Sequence, residues 1–426
     1  MRSSARFPTV RTASLAAPWA ALLLVTACVP RPTPDVEPRD TPATPPPSVA
    51  GALPYPLEGP ALWTAPFSSE PRAAGSSFVG VSQEKAGGPL HFLGVDRDGV
   101  TRWATERDPS CTGFTVARAE EGGAEFVVLL DREPDPDGGV LAFVTTASAH
   151  DPDTGERLWG PTEVPGTLVG PGLVFAALAG SVMTEASGPK AALAAGTGEV
   201  VADEEDGDTV LHEHHGTLLL HRDGELRALG SEQGELWAHA DLTVPDELGD
   251  RPVSVGYGPR PSSDSGAAVV LEWTAADEVG GVGADDDREV LLYTVHHLRT
   301  GERLLTLAPD VRPRLLGDGL DRTVVLAAPV GEGEARLYGL AATDPEPAWE
   351  LPTRPGERLA GLVGDTLYTA AEGGVGRAVD TATGGVAAEL PSEASDLTPV
   401  AALPGGPAVL RVPGNGGGVL AALAVS

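Results

Sequence analysis

The chain has 426 residues, 41% of them hydrophobic and only 5% aromatic, with 54 glycines and 40 prolines. Beyond residue 60 the glycines separate short apolar runs, which is the pattern of a many-turn β protein and excludes a helical bundle or a disordered chain. Acidic residues number 61 against 29 basic ones, a net charge of −32, and such a field repels phosphate backbones and excludes nucleic acid as a partner.

The first element is an export signal. Arg2, Arg6 and Arg11 form a basic start, and Ala13 to Ala27 is apolar with small residues at its end. That run is too short to cross a ~30 Å hydrocarbon core as a permanent helix, so residues 1–27 read as a removable signal peptide. It ends in Leu24-Val25-Thr26-Ala27-Cys28, which resembles the bacterial lipobox. The resemblance implies thioether diacylation of Cys28, cleavage just before it, and acylation of the new amino group with a palmitate-class chain. The expectation is a lipoprotein anchored in the cell membrane and facing outside the cytoplasm, since two or three acyl chains at ~0.8 kcal/mol per buried methylene hold firmly.

Residues 28–60 follow as a tether. They contain eleven prolines, including Pro45, Pro46 and Pro47. Proline favours an extended conformation of ~3.1 Å per residue, so the segment reads as a disordered spacer with a reach of up to roughly 100 Å.

From residue 61 to 426 internal repetition dominates. The clearest unit spans residues 209–240. Thr209 to His214 makes a strand, Leu218 to Leu220 a second, Leu226 to Leu229 a third and Leu236-Trp237 a fourth, with turns at Gly216, Asp223-Gly224 and Ser231–Gly234. Four antiparallel strands in about thirty residues are one propeller blade. Its ending recurs as Asp96-Arg97-Asp98-Gly99 leading to Trp103, and as Asp151-Pro152-Asp153-Thr154-Gly155 leading to Trp159. Weaker copies surround Gly198, Gly301 and Gly384, and Gly234 closes the clearest unit, while the copy before Trp349 has lost its glycine. The Asp or Thr side chain accepts turn amides and Gly takes the left-handed position.

These units resemble the PQQ-like repeat, also called the quinoprotein alcohol dehydrogenase-like repeat, with its pattern Ala-x-Asp-x-x-Thr-Gly-x-x-x-Trp. The resemblance implies that the Trp packs between neighbouring blades. Of the six tryptophans outside the signal, Trp63, Trp103, Trp159, Trp237 and Trp349 stand at or near that position, and Trp273 does not.

Outer strands start near residues 63, 103, 159, 200, 237, 304, 349 and 386. The expected fold is therefore an all-β, eight-bladed propeller of four-stranded antiparallel blades, with seven blades as the alternative. Gly418 to Val425 is a third strand without a fourth, and Leu62 to Ala65 an outer strand without a blade. Pairing them closes the ring and removes the last open edge. The unit around 241–304 is over-long, with Asp285-Asp286-Asp287 placed in an inserted loop.

No catalytic residue stands out. The resemblance raises PQQ with Ca²⁺, but the body holds one cysteine, Cys111, so the disulfide of adjacent cysteines that the resemblance implies beneath the cofactor has no counterpart. Cys111 reads as a small core residue. Neither a phosphate loop, a nucleophile elbow nor a zinc spacing occurs, and no cofactor or metal is expected. His212 and His214 would share a strand face, which suits a metal pair but lacks a placed third ligand. Glu133, Asp135, Asp137 and Gly138 imitate the start of a calcium loop, yet Val144 stands where its bidentate acid belongs. The run from Asp203 to Asp208 reads as a solvated acidic loop.

The function expected is a non-catalytic binding or scaffold module, monomeric, for an envelope protein or a small ligand. One alternative is an enzyme with a site in the central funnel, either a quinone-dependent oxidoreductase or a glycan-active hydrolase. Another is a role in outer-membrane protein assembly, which the fold resemblance brings with it.

Overall fold

A computed structural model describes residues 36–425 apart from short segments, the longest being 135–142, 178–187, 259–265 and 277–288. Cys28, Cys111, the Asp285–Asp287 run and the calcium-like segment from Asp135 to Gly138 lie outside the described residues. The fold is an eight-bladed β-propeller: eight antiparallel sheets follow one another around a ring, seven of four strands and one of five.

In chain order, blade 1 runs from Arg72 to Arg107, blade 2 from Phe114 to Val164, blade 3 from Thr167 to Asp203 and blade 4 from Thr209 to Ala238. Blade 5 runs from Val253 to Leu307, blade 6 from Val311 to Pro352 and blade 7 from Glu357 to Leu390. Blade 8 combines Pro399–Ala402, Ala408–Val412 and Val419–Val425 with the early strand Leu57–Thr64. Trp63 pairs with Ala422 and Thr64 with Ala421, so the two ends of the sequence close the ring in one sheet.

Local chemistry accounts for the hairpins. In blade 4, Asp223 has φ 54° and Gly224 φ 90°, while at the preceding hairpin His215 has φ 46° and Gly216 φ 75°. Two successive left-handed residues make the tight turn whose twist suits antiparallel strands. Histidine tolerates that region better than most side chains.

The core is a series of seams between neighbouring blades rather than one central mass. One seam joins Trp63 and Leu420 of blade 8 to Phe78 and Val95 of blade 1. The next joins Phe92 and Trp103 of blade 1 to Val127 and Leu129 of blade 2, and so on to the Val324–Val379 seam of blades 6 and 7. A buried ion pair, Arg107 to Asp131 at 2.8 Å, crosses the seam between blades 1 and 2.

The spacer reading of residues 28–60 needs correction from residue 36 onward. Glu37–Thr41 is a fifth strand on the outer edge of blade 1, pairing Glu37 with Ala104 and Pro38 with Trp103. Thr44 then bridges Thr64, whose hydroxyl donates to Pro45 O at 2.6 Å, and Val49 and Leu53 pack on blade 8. Proline does not prevent this, because it is tolerated at a sheet edge where its missing N–H faces outward. The ring thus gathers in most of the proline-rich segment.

Candidate functional site

The repeat residues come first, because they fix the platform. Each of five tryptophans donates its indole N–H to a turn carbonyl of the following blade. The pairs are Trp63 to Arg97 O (3.3 Å), Trp103 to Pro152 O (2.8 Å), Trp159 to Ala195 O (2.9 Å), Trp237 to Leu298 O (2.7 Å) and Trp349 to Thr381 O (2.8 Å). The same indoles lie over Gly99, Gly155, Gly198, Gly301 and Gly384 of those turns, and a Cβ at Gly198 would stand 2.3 Å from the Trp159 ring. Gly234 differs. Its turn faces blade 3, whose outer strand starts at Val200 without a tryptophan, and nothing lies within 4 Å of the position its Cβ would take.

In a four-stranded antiparallel blade the first and third turns leave the same end. They are tied there in blade 4 by Ser231 N donating to Gly216 O at 2.8 Å, and in blade 5 by Leu298 N donating to Ala267 O at 2.7 Å. At this end, between blades 4 and 5, lies a cleft lined by His214, His215, Thr217, Ala267, His297, Leu298 and Arg299. Its inner space is ≈ 10 Å³, about one water molecule. The inner strand of blade 3 is only Thr167–Leu168, which lets blades 2 and 4 approach over it. A Cβ at Gly216 would stand 2.3 Å from Ala119 O, and buried Arg118 brings its charge to bear on His214.

Alternation along Thr209–His214 sends neighbouring side chains to opposite blades. His212 reaches blade 5, with Nδ1 3.3 Å from Tyr257 Oη and Nε2 3.3 Å from Gly266 O. Glu213 reaches back to blade 3, accepting from Leu173 N at 2.5 Å and Gly216 N at 2.9 Å. His214 turns to the cleft, its ring 3.7 Å from that of His215, and its Nε2 is shielded from solvent with no protein partner.

Burial sets the charge states. It lowers His212 to about 4, against one opposing hydrogen bond to the Gly266 carbonyl, and raises Glu213 to about 7 despite its two backbone amides. His214 is held well below the usual imidazole value by burial first, then by His215, His212, Arg118 and His297. At neutral pH these imidazoles are uncharged.

The sequence pattern pairs His212 with His214 on one strand face. They do share a face, but both nitrogens of His212 are engaged with blade 5, and the residues that join His214 are His215 and His297. Among the described residues no group of three or more His, Cys, Asp or Glu is placed to hold a metal. Of the acidic run, Glu204 accepts from Lys190 N and Val210 N, while Asp208 pairs with Arg222 and Arg227. These carboxylates staple strands rather than lie free in solvent.

His297 and Arg299 escaped sequence reading, although a signal existed. His297 occupies the turn position held elsewhere by Asp96, Asp151 and Asp380, each of which receives the N–H of its turn glycine just as His297 receives that of Gly301. Asp151 caps its turn through Oδ1, whereas His297 uses Nδ1 to accept from Thr300 N. An Asp-to-His exchange at a repeat position was visible in the sequence.

Fold and cleft together define an eight-bladed propeller with a small recess between blades 4 and 5. No family model matches the chain, and no curated protein matches it. Solved structures similar to it include the computationally designed protein Ika8, at 15% identity and TM-score 0.39, covering 86% of this chain and all (100%) of that one. BamB from Moraxella catarrhalis aligns at 14% identity and TM-score 0.37, over 85% of this chain and 95% of its own. The quinohemoprotein alcohol dehydrogenase ADHIIG from Pseudomonas putida HK5 aligns at 13% identity and TM-score 0.34, over 86% and 76%. The fold itself rests on the strand pairing described above.

Proposed function

We propose that this protein is a membrane-anchored extracytoplasmic lipoprotein whose propeller is a non-catalytic binding module for an envelope protein or ligand. The observation that carries the binding role is the rigid end of the ring: hairpin turns locked to their neighbours by indole hydrogen bonds, with a small recess between blades 4 and 5 among them. Rigid turns present a surface without an ordering cost at the moment of binding. Glu213, pushed toward neutrality by burial, is sealed under backbone amides, which supports a structural role over acid–base work.

Cys28→Ala is expected to move the protein out of the membrane fraction; retention there would refute the lipid anchor. In-cell crosslinking of the tagged, lipidated protein in its native envelope is expected to recover one protein or ligand in stoichiometric amount. Recovery of the propeller alone, with glycan and quinone titrations then showing turnover, would favour a funnel enzyme instead.

A further inference from the structure

We propose that the outer edge of blade 1, Thr101–Arg107, is a strand-binding site for an extended segment of a partner protein, which enters by displacing the chain's own Val36–Ala43. The proposal rests on the binding-module reading and names where and in what form the partner docks.

The edge itself is the first reason. An outer strand presents a row of backbone N–H and C=O groups that templates the pairing of another segment. Among the eight outer strands, Arg157–Val164 and Leu57–Thr64 are interrupted by Pro161 and Pro60, each of which removes a ladder donor. Those of blades 3 to 7 are only four or five residues long. Thr101–Arg107 has seven residues and no proline. The edge best suited to strand addition is thus the one that the chain covers with a strand of its own.

The resident strand shows what the edge recognises. It pairs antiparallel, Glu37 with Ala104, Pro38 with Trp103 and Thr41 with Thr101. Side chains beyond its two ends settle on successive indole–glycine turns. A Cβ at Gly155, beneath Trp103, would stand 2.4 Å from Val36 Cγ1, and one at Gly99, beneath Trp63, 2.9 Å from Ala43 Cβ. Between these two contacts Arg102 Nη1 donates to Asp40 Oδ1 at 2.7 Å. The partner segment that fits carries an apolar residue, a carboxylate four positions on and a small apolar residue three further. Ladder bonds give such a segment its affinity and the side-chain sockets its specificity.

The resident is also placed to leave. All five residues of Glu37–Thr41 are exposed, and the register breaks between Pro38 and Thr41. The Asp40 side chain is 82% exposed, where an ion pair holds little. Leu57–Thr64, by contrast, buries Trp63 and stays. A tethered occupant acts at an effective concentration of about millimolar, so it keeps weak strangers off the edge and yields to a segment that pairs better.

The test uses the purified full chain and a fluorescein-labelled peptide with the sequence of residues 35–44, read by anisotropy. Val36→Asp combined with Asp40→Arg loosens the resident strand without touching the edge beneath it. The peptide is expected to bind this protein about tenfold or more tightly than the unaltered chain, where the resident competes. No binding to the loosened protein, equal binding to both, or equal binding of a peptide bearing the same two changes overturns the proposal. Hydrogen exchange supplies a readout on the unaltered chain. Glu37–Thr41 should exchange about a hundredfold or more faster than Leu57–Thr64, and equal protection overturns the proposal.

Crosslinking in the native envelope then separates this site from the reading beneath it. More partner recovered with the loosened strand supports docking at blade 1. Partner recovered equally from both proteins overturns this inference and leaves the binding module standing. Peptide binding with no partner in the envelope counts against the binding module and not against the edge.

Discussion

At the scale of single residues, the indole and the glycine it covers form one device. The glycine needs a left-handed backbone and also leaves room for the ring, so its two requirements can be separated by substitution. Gly234→Ala meets only the conformational cost, about 1–2 kcal/mol, because nothing lies near its Cβ position. Gly198→Ala must in addition displace the Trp159 ring, which adds roughly 1–3 kcal/mol of overpacking. Urea denaturation midpoints of the two variants should therefore separate clearly, with Gly198→Ala the lower. The histidines make a second prediction. His150, His212 and His296 are each lowered to about 4, with burial the leading cause, so the unfolded chain binds their protons first as pH falls. Their stabilising contribution is complete above pH 6.5 and is lost as pH falls to about 4. Glu213, raised to about 7, acts oppositely, its contribution being present below 4.5 and lost as pH rises through 7. Three groups outweigh one, so the melting temperature should drop between pH 6.5 and 4, and His296→Gln should flatten that slope.

At the scale of the element, two strands from the same proline-rich region have unequal weight. Glu37–Thr41 is exposed along its whole length and gains its main purchase from Val36, which packs in the Trp103 seam. Leu57–Thr64 buries Leu57, Ala61 and Trp63 and completes blade 8. Removing residues 36–41 should cost roughly 1–2 kcal/mol, while removing residues 61–66 should cost several kcal/mol, on the order of a buried Trp lost to a cavity plus a strand. Equal melting temperatures for the two truncations would contradict ring closure by the early strand. Elements of this kind were unevenly legible. The blade from Thr209 to Ala238 could be read strand by strand, because Asp223-Gly224 and the apolar alternation around it state the same geometry twice. The strand Glu37–Thr41 could not, since its place is decided by the surface of blade 1 and not by any preference of its own charged and proline-rich residues. The cleft was half legible: His214 stood out as a histidine among histidines, but its neighbours arrive from blade 5, more than one blade-turn away in sequence.

For the whole molecule, charge and closure set the behaviour. A net charge of −32 pushes the compact ring apart, and salt screens that repulsion over a Debye length of ~10 Å at 0.1 M. Thermal stability should therefore rise with sodium chloride; a flat response would mean that the exposed pairs, such as Arg354–Glu389 and Arg322–Asp365, lose as much as the repulsion yields. Closure has a consequence in time. The strand that completes blade 8 is made early, yet its partner Val419–Val425 is the last strand of the chain, about 360 residues on, and loop closure over such a span is entropically slow to reward. Until that strand is made, Leu57–Thr64 keeps an unpaired edge, with Trp63 covered on its blade 1 side alone. A chain arrested just before the final strand has its other blades but no closed ring, so a premature stop near residue 419 is felt at residue 63.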